Sequence, residues 1–135
     1  MKSKVILVLF GVAVISALAL AASAFGATFT SKLVAVGGSG VRGDVLITDT
    51  TGGGSFVAVR ARRLVPMQEY ASFYYDDHAC QEDPELVGTF VATGAGVGVT
   101  SATIDDGTDE VGSVSVRTPD YSVLFACAAL PGGED

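Results

Sequence analysis

Tryptophan is absent from the 135 residues, histidine occurs once, at His78, and cysteine twice, at Cys80 and Cys127. No Cys-x-x-Cys is present, which removes the common dithiol redox motif. No Gly-x-Ser-x-Gly is present either. His78 with its acidic neighbours Asp76 and Asp77 therefore lacks the nucleophile motif of a serine hydrolase and reads as a surface histidine. Basic residues are scarce, 8 Lys and Arg against 15 Asp and Glu. That balance argues against nucleic acid or an anionic membrane as a partner. Beyond residue 25 there is no long 3.6-residue periodicity, and no segment supplies the crossovers that a parallel sheet requires. Apolar residues are not scarce: at 49% of the chain they exclude general disorder.

The N-terminal stretch reads as a targeting segment rather than part of the fold. Lys2 and Lys4 precede an apolar run from Val5 to Ala22, closed by Ala22-Ser23-Ala24. A charged n-region, an apolar h-region and a small-x-small site form the pattern of a secretory signal. Removing the first 24 of 135 residues leaves 111, numbered 25–135, enough for one domain. Loss of Lys2 and Lys4 leaves 6 basic against 15 acidic residues, a formal charge of −9. The run is also long enough for an uncleaved anchor.

After residue 25 the sequence alternates between β-branched or aromatic runs and glycine-rich punctuation, which predicts eight strands. They are Thr28–Val36, Val41–Thr48, Ser55–Leu64, Tyr70–Tyr75, Leu86–Thr93, Val97–Ile104, Val111–Arg117 and Tyr121–Ala128. In the third, Val57, Val59 and Ala61 fall on one face, and Phe56, Ala58, Arg60 and Arg62 on the other. Short strands with turn signals between them imply an antiparallel sandwich or barrel.

The two cysteines, Cys80 and Cys127, form an even count. In an exported chain that suggests a disulfide, with two free thiols or intermolecular pairing as alternatives. Closing the loop between them stabilises a fold by roughly 4 kcal/mol in the chain-entropy model.

The fourth strand and the residues after it read Tyr70-Ala71-Ser72-Phe73-Tyr74-Tyr75-Asp76-Asp77-His78-Ala79-Cys80. The last two strands contain Gly112-Ser113-Val114-Ser115-Val116-Arg117 and Leu124-Phe125-Ala126-Cys127-Ala128-Ala129-Leu130. From Leu33 to Leu130 the order, spacing and cysteine pair resemble the copper/zinc superoxide dismutase-like β-sandwich, in the compact form of many secreted bacterial proteins. The resemblance implies eight strands in a Greek key and a Cys80–Cys127 disulfide. The family's metal ligands do not carry over. Tyr74 and Asp76 stand at the two positions of its His-x-His, Arg117 at its third copper histidine, and Leu124 at its active-site arginine. The stretch where the family holds zinc keeps only His78. Copper needs several imidazoles in a fixed arrangement, so the resemblance implies no dismutase activity here.

Alternation predicts that Phe73, Tyr75, Val114 and Val116 face the core, and that Tyr74, Asp76 and Arg117 come together outside. An Arg117–Asp76 ion pair would then take the metal's place, either as a plain surface pair or as a partner surface. Asp105, Asp106, Asp109 and Glu110 are weak calcium candidates, because calcium favours several oxygens from acidic loops. Arg60, Arg62 and Arg63 form a basic patch, read as a charged outer face that discourages edge pairing or as a site for an anion or acidic partner. The expected protein is a secreted (extracellular or periplasmic), non-catalytic β-sandwich without a cofactor. It would act as a binding, cell-envelope or extracellular structural module. Its partner would be an unknown protein or extracellular ligand, not nucleic acid and not a membrane after signal cleavage. Self-assembly by edge-strand addition stays open. The alternative is weak handling of calcium or copper through the acidic loops.

Overall fold

The computed structural model describes residues 26–134; the expected signal segment and its cleavage pattern lie outside them. Eight strands follow one another: β1 (Thr28–Ala35), β2 (Arg42–Asp49), β3 (Ser55–Arg62), β4 (Glu69–Tyr75), β5 (Glu85–Val91), β6 (Gly98–Ile104), β7 (Ser113–Arg117) and β8 (Leu124–Ala129). A 3₁₀ turn, Thr108–Glu110, precedes β7. The strands form one antiparallel sheet in the order β5-β4-β7-β8-β1-β2-β3-β6. The all-β Greek-key expectation agrees with this, as do the positions of the strands apart from the start of the last two.

The sheet curls into a nearly closed barrel whose seam is the hairpin β5–β6. Thr93 N–H donates to the Val97 carbonyl at 2.8 Å, and beyond that turn the two strands splay. They stay close through missing side chains. A Cβ on Gly98 would lie 2.3 Å from the Phe90 ring, and one on Gly88 would lie 2.3 Å from Thr100 Oγ1.

Strict alternation puts Val45 and Ile47 of β2 and Val57, Val59 and Ala61 of β3 inside, each at most 1% exposed. Val114, Val116, Ala126 and Ala128 close the core from the other side. Tyr70 stacks on Phe90 and meets Phe125 edge-on, with centroids at 5.9 and 5.3 Å. Its hydroxyl accepts the Val65 N–H at 2.9 Å, which satisfies the one polar atom that this large side chain brings inside.

Strand direction gives the barrel two distinct ends. Connections 36–41, 63–68, 92–97 and 118–123 lie at the first end; 50–54, 76–84, 105–112 and the C-terminal residues lie at the second. The eighth strand begins at Leu124 rather than Tyr121. The Asp120 carboxylate accepts from Thr118 Oγ1, Ser122 N–H and Ser122 Oγ at 2.7, 3.0 and 2.6 Å. With Tyr121 at φ 70° this closes a tight turn before the ladder can start. The edge-protection reading of Arg60 and Arg62 also fails, because β3 is paired on both sides, to β2 and to β6.

Candidate functional site

The outer face of β4 and β7 is buried beneath two connections, which cover that of β8 only in part. The disulfide Cys80–Cys127, with Cα atoms 6.1 Å apart, draws segment 76–84 over this face. Asp77 organises that segment. Its carboxylate accepts the N–H groups of Ala79, Gln81 and Glu82 at 3.0, 3.0 and 2.9 Å. Burial raises the Asp77 pKa, but the backbone donors outweigh it and hold it below the usual carboxylate value. Ser113 Oγ donates to the Asp77 carbonyl at 2.6 Å and accepts the Cys80 N–H at 3.0 Å. His78 Nε2 bonds the Gly132 carbonyl at 2.6 Å, which puts the proton on that nitrogen.

Arg117 is at the centre of the covered face. Its Nε donates to the Tyr75 hydroxyl at 2.9 Å, Nη1 to the Tyr121 carbonyl at 3.1 Å and Nη2 to the Cys80 carbonyl at 3.1 Å. Its guanidinium carbon lies 3.9 Å above the Tyr121 ring. Tyr121 also meets Phe73 edge-on at 5.1 Å. The Tyr75 and Ser115 hydroxyls are 2.8 Å apart. Burial pushes the Tyr75 pKa up to about 12, so the phenol stays neutral.

The expected trio of Tyr74, Asp76 and Arg117 is not brought together. Tyr74 points into the barrel and is buried with Val114, while Tyr75 takes the outer face. Strand β4 is buried on both faces, so its run of aromatics carries no phase that alternation could read. Ser113 and Ser115 do lie on the outer face but are fully buried there by the two connections. Arg117 bonds two carbonyls and a phenol instead of Asp76. Tyr75 and Tyr121 are the functional candidates that sequence reasoning missed. The Asp120 turn is the only sequence signal for Tyr121's position.

Asp76 belongs to the second end. There, Asp76, Glu85, Asp106, Asp109, Glu110 and Glu134 line an open cleft of about 330 Å³. Tyr74 reaches it from inside, donating to Asp106 Oδ2 at 3.1 Å. Burial, then Asp83, Asp106 and Glu134, raises the Asp76 pKa; burial raises that of Tyr74 as well. Of the calcium candidates, Glu110 turns back to accept the Gly107 N–H at 3.2 Å, and Asp105 and Asp109 are exposed. Among the described residues no three His, Cys, Asp or Glu side chains are grouped so as to hold a metal ion. No helix among them is long and apolar enough to cross a membrane. The chain matches no protein-family model and no curated protein.

Proposed function

We propose that this chain is a non-catalytic, exported β-barrel module that binds a partner or contributes to the cell envelope or extracellular matrix. One observation carries the reading. The outer face of β4 and β7 around Arg117, the one of the three copper-ligand positions of the resemblance that lies there, is filled by Tyr75, Ser115, Arg117 and Tyr121 bonded to one another and to backbone carbonyls, while Tyr74 and Asp76 lie inside the barrel and at its second end. A permanently cationic guanidinium repels a metal ion, and a phenol held neutral is a poor ligand. The face has the character of a fastening for two loops, not of a reactive site. The disulfide supports the export part of the reading, because such bonds persist in oxidising compartments. A superoxide dismutation assay on protein isolated from the medium or periplasm tests it: activity above that of free buffer metal overturns it.

The second reading, weak handling of calcium or copper, draws on the carboxylate-lined cleft at the second end. Calorimetric titration with calcium decides between them. Saturable binding that is lost in Asp106→Asn favours the cleft; no heat favours the binding module alone.

A further inference from the structure

Net charge describes neither end of this molecule. Lys32, Arg42, Arg60, Arg62 and Arg63 all lie toward the first end, and the carboxylate-lined cleft lies at the second. Among the described residues Asp44 is the one carboxylate paired with these cations, at 3.5 Å from Lys32 and 3.6 Å from Arg62. Glu69 and Asp120 are the other acids at this end. Arg42 and Arg62 stand directly opposite each other in the β2–β3 ladder, both exposed. Like charges at such a position oppose folding, so an anion between them would relieve a built-in repulsion. Protection of a sheet edge does not account for the patch, because β3 is an inner strand.

Exposed aliphatic side chains gather at the same end. Seven of the nine large hydrophobics exposed among the described residues are there; only Phe56 and Leu86 are at the other. Val34 follows Lys32 on the same face of β1, and Val99 of β6 stands opposite Arg60. Val65 and Met67, 57% and 72% exposed, project from connection 63–68. That connection is pinned. Leu64 N–H bonds the Gly96 carbonyl, Met67 N–H bonds the Ala92 carbonyl, both at 2.9 Å, and Val65 N–H bonds Tyr70. Arg63 and Met67 hold φ of 63° and 67°, a conformation that non-glycine residues adopt at a cost. The fold thus keeps two apolar side chains in water on a rigid, strained loop beside a cluster of guanidinium groups.

We infer that the first end docks on an anionic lipid bilayer, with the arginines on headgroup phosphates and Val65 and Met67 entering the interface. A second copy's acidic end would match the charge, but its carboxylate-lined cleft has no aliphatic lining to receive these side chains. The acidic end does not oppose docking. Strands of up to eight residues, tilted as in a barrel, hold it about 20 Å away, more than twice the ~8 Å screening length in physiological salt. This inference rests on the binding-module reading and names its partner, in place of the expectation from net charge that excluded a membrane.

Co-sedimentation of the exported protein with phosphatidylglycerol vesicles, against phosphatidylcholine vesicles, tests it. Binding is expected to the first only, and to weaken at high salt. Arg42→Glu with Arg62→Glu should lower the partition coefficient by at least about tenfold. Met67→Ser should lower it about fivefold, and Leu86→Ser should leave it unchanged. Arg42→Gln should weaken binding while the melting temperature holds or rises, which a purely structural arginine would not do. Equal binding to both vesicle types, or none to phosphatidylglycerol, overturns the proposal. So does salt-sensitive self-association in sedimentation velocity that the double charge reversal abolishes, which would assign the face to a second copy. None of these results bears on metal chemistry, so failure here is distinct from failure of the non-catalytic reading.

Discussion

Arg117 holds Tyr121 twice: its guanidinium carbon lies 3.9 Å over the ring, and Nη1 donates to the same residue's carbonyl at 3.1 Å. With the Nη2 bond to Cys80, one side chain clamps both connections that cover β4 and β7.

Arg117→Ala leaves the Tyr75 hydroxyl and two carbonyls short of a donor under those connections. The expected loss is about 2–4 kcal/mol, well above that of a surface ion pair. Arg117→Lys should recover only part of it, because an ammonium cannot span three separated acceptors and lie flat on the ring. Chemical denaturation of the two variants measures both. A loss under about 1 kcal/mol for the alanine variant would mean that the clamp is not structural.

Breaking the disulfide should cost roughly 4 kcal/mol in the chain-entropy model, for a closed loop of 47 residues. Cys80→Ser is the variant to denature, with non-reducing peptide mapping of the parent protein to recover the linked pair. Segment 76–84 should open first, because Asp77, Ser113 and Arg117 then hold it without a covalent tie. Hydrogen exchange at Ala79, Gln81 and Glu82 in the reduced protein would report that opening.

Ser72 behaves oppositely to Arg117. Its hydroxyl is fully buried inside the barrel with no hydrogen-bond partner. Ser72→Ala removes an uncompensated desolvation and should be neutral or stabilise by about 1 kcal/mol. A loss above that in the same denaturation experiment would indicate a partner for the hydroxyl, such as an internal water.

The two neighbouring aspartates should give opposite pH signatures. Asp77 has a lowered pKa, so its stabilisation is complete above the unfolded value near 4 and is lost as pH falls through its lower folded value. Asp76 has a raised pKa, so its charge opposes folding at neutral pH and the penalty lifts as pH falls through that value. Asp76→Asn should therefore raise the melting temperature at pH 7, with the gain fading toward pH 4. Asp77→Asn should lower it at pH 7. Thermal melts across this range would contradict the assignment if the two variants shifted in the same direction.

The barrel was legible where a strand has one wet face. In β3 alternation placed Val57, Val59 and Ala61 correctly, since water on the outer face enforces a period of two. It failed in β4, where both faces are covered and Tyr74 and Tyr75 are equally shielded. The covering itself comes from the connections carrying Cys80 and Tyr121, far apart in sequence, and no local pattern announces that they meet over Arg117. The polarity of the molecule was hidden for a related reason. Arg42 lies eighteen or more positions from Arg60 and Arg62, and only the β2–β3 register puts them together. Net charge sums over both ends and masks each.

Elemental analysis of the protein purified without chelator tests the nature of the face around Arg117 most directly. With Tyr75, Ser115, Arg117 and Tyr121 filling that face, no stoichiometric copper or zinc is expected. One tightly held transition metal per chain would contradict the non-catalytic reading and would move the search for ligands to His78 and the acidic cleft.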